Sequence, residues 1–481
     1  MGFSDPAAVA GTVRGWHHGR IAATRTERGR ELFTRLAPRL LDAIAATGAP
    51  DAAFARFADF FAALPSGVQV QSLFLAQPRL LDLIVRVMAI APAFARALAR
   101  RPAALDALLD PDFFAPLAPL SPPKGIGGEM GFEAAMDEAR RLHRERAFQV
   151  GLQVLAGTAS AADAGEAYAD LADVCVAGLS RAALAEVERQ AGAFPGELAV
   201  IALGKCGSRE MTASSDLDLM TLYAPASPDG ASFEKGWAAE TFYGRFTQRL
   251  ITALSTPTAE GGLYEVDMQL RPSGTKGPVA VSFRAFEHYF EREAETWEYL
   301  ALTRARVVWA TSPGFGARAA AAIEATLRTP RDVRATAADV LAMRQLMARE
   351  RPAHGFWDLK LHDGGLVDIE FAAQFLQIAH AAEDGPLRAN TAQALEALTI
   401  AGAAPTPLID DLAAAWRLQQ DLSQIIKVAL AENADPEREP KALRALLAKA
   451  AGVRDHRSLR ATLTLRRRAA HRAFRSLLVK G

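Results

Sequence analysis

Between Thr24 and Phe114 apolar residues recur at helical spacing in a stretch rich in Ala, Leu and Arg. Pro78, Pro92, Pro102 and Pro111 cut this stretch into short helices, because proline is accepted in a first helical turn and excluded from a helix interior. Residues 1–115 therefore read as a small helical region. Pro116 to Gly128 shows no periodicity and reads as a linker. Two long helical patterns follow, roughly Phe132–Ala156 and Ala161–Gln190. Leu198–Leu203 is then a continuous apolar run of strand length, and Asp216–Tyr223 alternates polar and apolar with period two. A helix over about Phe233–Leu254 leads to a second alternating strand, Leu263–Leu270, and a third strand is expected at Ala305–Ala310. From Pro330 to the end the pattern is almost wholly helical, with breaks at residues 363–365, 401–402 and 435–440. The pattern predicts an α+β chain, predominantly helical, in three successive regions: helical over 1–115, mixed with a small sheet over 129–312, and helical over 313–481. No internal repeat at a solenoid period is found.

Composition narrows this picture. A chain of 481 residues is too long for one hydrophobic core, and about two to four domains are expected. Lys plus Arg equals Asp plus Glu at 55 each, so no global basic field points to nucleic acid or to a membrane surface. Two cysteines, Cys175 and Cys206, exclude a disulfide framework and fit a reducing compartment. No apolar run reaches the roughly 18–20 residues that span a bilayer, and the first residues carry no secretory pattern, so a cytoplasmic protein is expected.

The chemistry concentrates in Gly204–Leu219, where a small-residue turn leads to Asp216 and Asp218. Residues two apart on a strand face the same way, so the two carboxylates share a face. Parallel carboxylates repel unless a cation lies between them, and an all-oxygen set without nearby Cys or His favours Mg²⁺. Asp267, on the next alternating strand with Glu265 and Gln269, supplies a third carboxylate. Three carboxylates holding two cations suit nucleotidyl transfer, in which an attacking oxygen, the α-phosphorus and pyrophosphate lie in line. Asp216, Asp218 and Asp267 are thus the candidate catalytic and metal-binding residues. Gly207 and Ser208, in the turn, would bring N–H groups and a hydroxyl to the triphosphate. Lys205, Arg209, Arg271, Lys276, Arg304 and Arg306 are the candidate phosphate-binding cations, with Lys276 foremost because it lies in the Ser273–Pro278 turn. The alternative for Arg304 and Arg306 is pairing with Glu293, Glu295 or Glu298. Glu265 is either a fourth acidic ligand or a solvated partner of Arg271, and the second is preferred.

Other features have plainer readings. His17 and His18 are adjacent and diverge on a helix with no third ligand, which argues against a metal site. Cys206, next to the cationic Lys205, is either a reactive thiol or a small buried filler, and the second is preferred. The run Arg466, Arg467, Arg468, His471, Arg472 and Arg475 either docks an acidic partner or is a solvated helix face, and the second is preferred.

The Gly-Ser turn, Asp-x-Asp and later Asp resemble the nucleotidyltransferase superfamily. The residues around them, Leu203–Tyr223, Thr256–Gly261, Tyr264–Pro278 and Trp297–Arg306, followed by Trp357–Lys360 and Gly364–Phe371, resemble the glutamine synthetase adenylyltransferase family over almost the whole chain. The turn departs from the family pattern, with Cys206 and Ser208 in place of Leu and Gly. The resemblance implies a polymerase-beta-type mixed sheet flanked by an N-terminal helical region and a C-terminal helical bundle. It implies ATP and Mg²⁺ as cofactors and transfer of AMP to a tyrosine hydroxyl of glutamine synthetase, with the PII signal protein as a partner and glutamine as an effector. Family members are bifunctional and about twice this length, and the wording from Pro257 to Gly277 is similar to the C-terminal, adenylylating half. The deadenylylating, phosphorolytic half and a non-catalytic nitrogen-signalling module are the alternatives. The resemblance also turns Asp358, Lys360, Asp368 and Glu370 towards the nucleotide cleft, against a helix-capping role for the acids.

Overall fold

The computed structural model describes residues 2–120, 131–432 and 434–480. Part of the expected linker, residues 121–130, lies outside the described residues, and residues 116–120 are irregular. The architecture is α+β and predominantly helical with a small mixed sheet, as the periodicity predicts; the sheet has five strands, including one that the periodicity does not show. The chain forms two compact units, each assembled from three segments, where three successive regions were expected.

One unit comprises residues up to Leu117, Phe148–Ser160 and Asp421–Thr462. Its helices include Pro6–His17, Glu27–Ala46, Pro50–Ala63, Val68–Ala76, Pro78–Ile90 and Pro92–Arg100. Pro78 and Pro92 occupy first turns as expected, whereas Pro102 and Pro111 open 3₁₀ turns and Pro38 lies inside a helix. The core is aromatic: Trp16 packs edge-on against Phe33 and Phe61 at 5.6 and 5.2 Å. Trp16 is buried while His17 and His18 are exposed, and His17 Nδ1 meets Thr34 Oγ1 at 3.1 Å.

The other unit comprises Ala118–Ala147, Ala161–Gln420 and the chain from Leu463 onward. Its sheet has the order β3-β2-β1-β5. β1 (Gly196–Ala202) lies antiparallel to β2 (Leu217–Pro225) and to β5 (Arg306–Ala310). β2 runs parallel to β3 (Val266–Asp267) and to β4 (Ala280–Ser282). Leu198–Ala202 is wholly buried, as a continuous apolar strand should be. The Ala161–Ala191 and Ala239–Ser255 helices pack together, and from the latter Phe246 stacks on Trp309 of β5 at 6.0 Å.

Two elements are shorter than expected. The Leu263–Leu270 strand is reduced to Val266–Asp267, because Asp267 Oδ1 accepts from the Gln269 N–H at 2.7 Å and turns the chain away from the ladder. The helix expected from Phe233 starts at Ala239, because Ser232 and Trp237 close a turn ahead of it. β4, three residues long, was too short for its alternation to register. Among the described residues no helix is long and apolar enough to cross a membrane.

Candidate active site

Leaving β1, the chain passes Gly204 at φ +51°, and a Cβ there would fall 1.8 Å from Asp218 Oδ2. Glycine is required because the carboxylate lies against the backbone and because positive φ strains any other residue. The short Gly204–Ser208 helix ends at Arg209, whose left-handed φ of 60° reverses the chain. The return loop enters β2 at Leu217, whose N–H donates to the Glu265 carbonyl at 2.9 Å. This fixes the parallel register in which Asp218 lies directly opposite Asp267. Asp216, in the loop just ahead of β2, lies close enough for its charge to act on Asp218.

The electrostatics follow from this placement. Burial pushes the Asp218 carboxyl up, to about 6, and the charges of Asp216 and Asp267 add to the shift, while Arg304 and Lys360 oppose it. Asp216 and Asp267 line an open groove of roughly 370 Å³ together with Glu265, Gln269, Arg271 and Thr275. The donor set is entirely carboxylate oxygen and its mutual repulsion is only partly offset, which fits a hard divalent cation. Among the described residues, however, the acidic group whose ligand atoms all lie within 4.8 Å of one another is Asp363, Asp368 and His471. That group is already balanced by Arg344, whose Nε is 2.5 Å from Asp368.

Several expected phosphate contacts are spent inside the protein. The Gly207 N–H donates to the Leu203 carbonyl at 2.8 Å, and a Cβ on Gly207 would lie 2.0 Å from the Arg304 carbonyl. Gly207 is therefore a close-approach residue, and its N–H is not available to an anion. Ser208 is buried, its Oγ accepting from Arg304 at 2.8 Å. Arg304 is buried between Glu210 and Glu370, at 3.1 and 3.3 Å. Glu210 in turn accepts from the Thr391 N–H and hydroxyl, and Asn390 donates to the Ser208 carbonyl at 3.3 Å. Arg306 pairs with Asp173 at 2.7 and 2.8 Å and donates to the Cys206 and Gly207 carbonyls. Neither arginine meets Glu293, Glu295 or Glu298; Glu298 instead closes a capping box with Glu295. Arg271 donates to the carbonyls of Met268, Gly277 and Pro278 and does not pair with Glu265. Arg209 holds Asp170 and Asp173. All four arginines brace the site from within because burial makes an unpaired guanidinium costly, so each finds carbonyls or carboxylates. Lys205 is half-buried in the turn itself, whereas Lys276 and Lys360 are exposed.

The Gly364-Gly365 region is also braced. Asp358 accepts from the N–H groups of His354, Lys360 and Leu361, shaping the loop that carries Lys360. Asp368 is fully buried and accepts from Arg344 and the Gly364 N–H, with His471 Nδ1 at 2.9 Å. Asp368 and Glu370 both neutralise buried cations, Arg344 and Arg304 respectively. Arg467 donates to the Phe356 and Asp358 carbonyls at 2.7 and 2.8 Å. Arg467 and His471 therefore leave the solvated face expected for the basic run: they are four apart, on the inner side of the His456–Lys480 helix.

A clamp on the Thr256–Gly261 loop escaped the sequence reading. Arg140, 1% exposed, donates to the carbonyls of Met136, Ala253, Thr256 and Gly261, while Arg141 and Arg144 pair with Glu260. Its signal was the i, i+4 arginine spacing on one face of the Phe132–Ala156 helix. Cys206 is buried, and burial pushes its thiol up to about 12, consistent with a filler.

Comparison with known proteins gives the family. The family model described as glutamate-ammonia ligase adenylyltransferase matches residues 81–322, and that of GlnD PII-uridylyltransferase matches residues 341–478. The chain is 66% identical over 481 residues to a protein of Caulobacter vibrioides, covering 100% of the chain and 48% of that protein. It is 40% identical over 488 residues to one of Brucella suis and 39% identical over 491 to one of Rhizobium meliloti, covering 49% of each and 100% and 99% of this chain. All three relatives are named bifunctional glutamine synthetase adenylyltransferase/adenylyl-removing enzyme. The chain spans about half the length of the curated relatives it matches. With a family model covering half of its residues and relatives of one name along its whole length, this chain belongs to the glutamate-ammonia ligase adenylyltransferase family.

Proposed function

We propose that this chain is the adenylylating half of such an enzyme: it transfers AMP from ATP to a tyrosine hydroxyl of glutamine synthetase and releases pyrophosphate. The observation that carries the reading is the register of Asp218 opposite Asp267, with the charge of Asp216, which lines one groove with Asp267, acting on Asp218. A divalent cation, Mg²⁺ in the cell, held by these three carboxylates would neutralise triphosphate charge and lower the pKa of the acceptor hydroxyl. Lys276 and Lys360 are the exposed cations that meet the phosphates, and Lys360 already acts on the Asp218 charge. The tyrosine oxygen attacks the α-phosphorus, the bond from that phosphorus to the pyrophosphate oxygen breaks, and the phenolic proton passes to Asp267. A phenol titrates near about 10, so a proton acceptor is needed at neutral pH.

The likeness of residues 341–478 to a PII-uridylyltransferase supports a place in nitrogen signalling, with the PII protein and glutamine as effectors and the cytoplasm as the compartment. The test is to incubate the chain with ATP, Mg²⁺ and unmodified glutamine synthetase and to weigh the synthetase subunit. A gain of one AMP supports the proposal, and Asp267→Asn should abolish that gain while retaining ATP binding. Removal of AMP from modified synthetase in the presence of phosphate, without any gain, would assign the deadenylylating half. Absence of ATP and Mg²⁺ binding by calorimetry would leave a non-catalytic module.

A further inference from the structure

One face of the His456–Lys480 helix, over residues 465–479, lies in solvent. Residues 465, 468, 472, 475 and 479 are spaced by three or four and so lie along one side of the helix. All five are exposed: Arg468, Arg472 and Arg475 in the middle, Leu465 at 62% and Val479 at 67% at the two ends. No carboxylate among the described residues pairs with any of these three arginines, in a chain whose 55 cationic and 55 anionic residues otherwise balance. Leu465 and Val479 are two of the five large hydrophobic side chains left exposed among the described residues. They stand roughly 21 Å apart, from the helical rise of about 1.5 Å per residue.

We propose that this face docks an acidic surface of the protein substrate, a step that rests on the function proposed above. Charge complementarity selects the occupant, since three unpaired guanidinia favour clustered carboxylates and repel a basic partner. The flanking Leu and Val favour a folded protein over a nucleic acid, because apolar side chains gain by burial against another apolar surface. The face also has a direct line to the site. From the inner side of the same helix Arg467 holds the Phe356 and Asp358 carbonyls, and His471 holds Asp368, so the helix that carries the arginines also fixes the Lys360 loop. A substrate docked on the outer side is thereby set against a rigid support of that loop.

The experiment uses the whole chain, ATP, Mg²⁺ and glutamine synthetase, with initial rates of AMP incorporation measured against synthetase concentration at low and at physiological ionic strength. In the triple variant Arg468→Glu, Arg472→Glu, Arg475→Glu the KM for synthetase should rise by roughly tenfold or more, with kcat and the KM for ATP unchanged. The fall in affinity with added salt seen for wild type should vanish in the variant, since the screened charges are gone. Arg466→Glu, an equally exposed arginine on a different side of the helix, is the control and should leave the KM within about twofold. Equal KM and equal salt dependence in triple variant and wild type would overturn the proposal while leaving the activity itself established. A change in the oligomeric state of the chain by sedimentation, with the synthetase KM unmoved, would also overturn it, assigning the face to a second copy. If wild type transfers no AMP, the proposed function fails first; association of the two proteins by sedimentation then supports the docking face if the triple variant loses it, and overturns it otherwise.

Discussion

Replacing Gly204 with alanine perturbs the site through one added methyl group. The new Cβ would sit 1.8 Å from Asp218 Oδ2, where real Cβ contacts stay beyond 3.0 Å, so the carboxylate must retreat by about 1.2 Å or the turn must open. Alanine at φ +51° adds a left-handed strain of about 1–2 kcal/mol. A displacement of that size in a group that positions the reaction costs about 10²-fold in rate. Gly204→Ala is therefore expected to lose about two orders of magnitude in AMP transfer to glutamine synthetase while remaining folded, with a stability loss of only about 1–2 kcal/mol. Intact-mass kinetics measure the first effect and urea unfolding the second. A variant with the wild-type rate and the expected loss of stability would show that the Asp218 position does not matter to catalysis. It would refute the assignment of the carboxylate site.

Arg304→Met should leave Glu210 and Glu370 buried without their shared cation and cost about 3–5 kcal/mol in urea unfolding; a rise in the KM for ATP with unchanged stability would instead return Arg304 to the triphosphate. The Asp368 cluster gives a pH signature. Burial raises the Asp368 carboxyl, but His471, Arg344 and the Gly364 N–H outweigh it and hold it below the ordinary range, while Asp368 raises His471. The carboxylate's contribution is complete above its unfolded value and is lost as pH falls through the depressed native one. The imidazole's contribution is complete below its unfolded value and is lost as pH rises through the raised native one. The pair thus contributes most between about pH 4 and pH 6.5. Urea midpoints measured across pH should fall off on both sides of that window in wild type. Asp368→Asn should flatten the profile and cost about 3–5 kcal/mol, since Arg344 remains buried; an unchanged profile would sink the argument.

The long elements were legible because their signals are long. Phe132–Ala156 is matched at both ends and Ala161–Gln190 ends one residue early, since 25 and 31 residues of consistent periodicity average out local exceptions. β4, at three residues, has no period to detect, and β3 keeps only two residues of the alternating Leu263–Leu270 stretch. In the site, the spacing of Asp216 and Asp218 marked the pair without reference to anything distant, and the charge of Asp216 does act on Asp218. The arginines were misread for the opposite reason. Arg271, Arg304 and Arg306 have candidate acids nearby in sequence, but their partners are carbonyls six or seven residues on, or carboxylates that only folding brings near, such as Glu210 and Asp173.

By itself the sequence determined the helical and strand periods, the order of elements, the close spacing of Asp216 and Asp218, and the glycine at the turn, because each depends on residues a few positions apart. Tertiary structure decided the rest. It set Asp267 against Asp218 through a parallel pairing between segments about fifty residues apart. It also sorted the cations: Arg304, Arg306, Arg271 and Arg467 went inward to buried acceptors, while Lys276, Lys360 and the Arg468–Arg475 face stayed in solvent. A positive charge does not announce its partner in sequence, because desolvation and long-range pairing, which decide its place, exist only once the chain has closed around it.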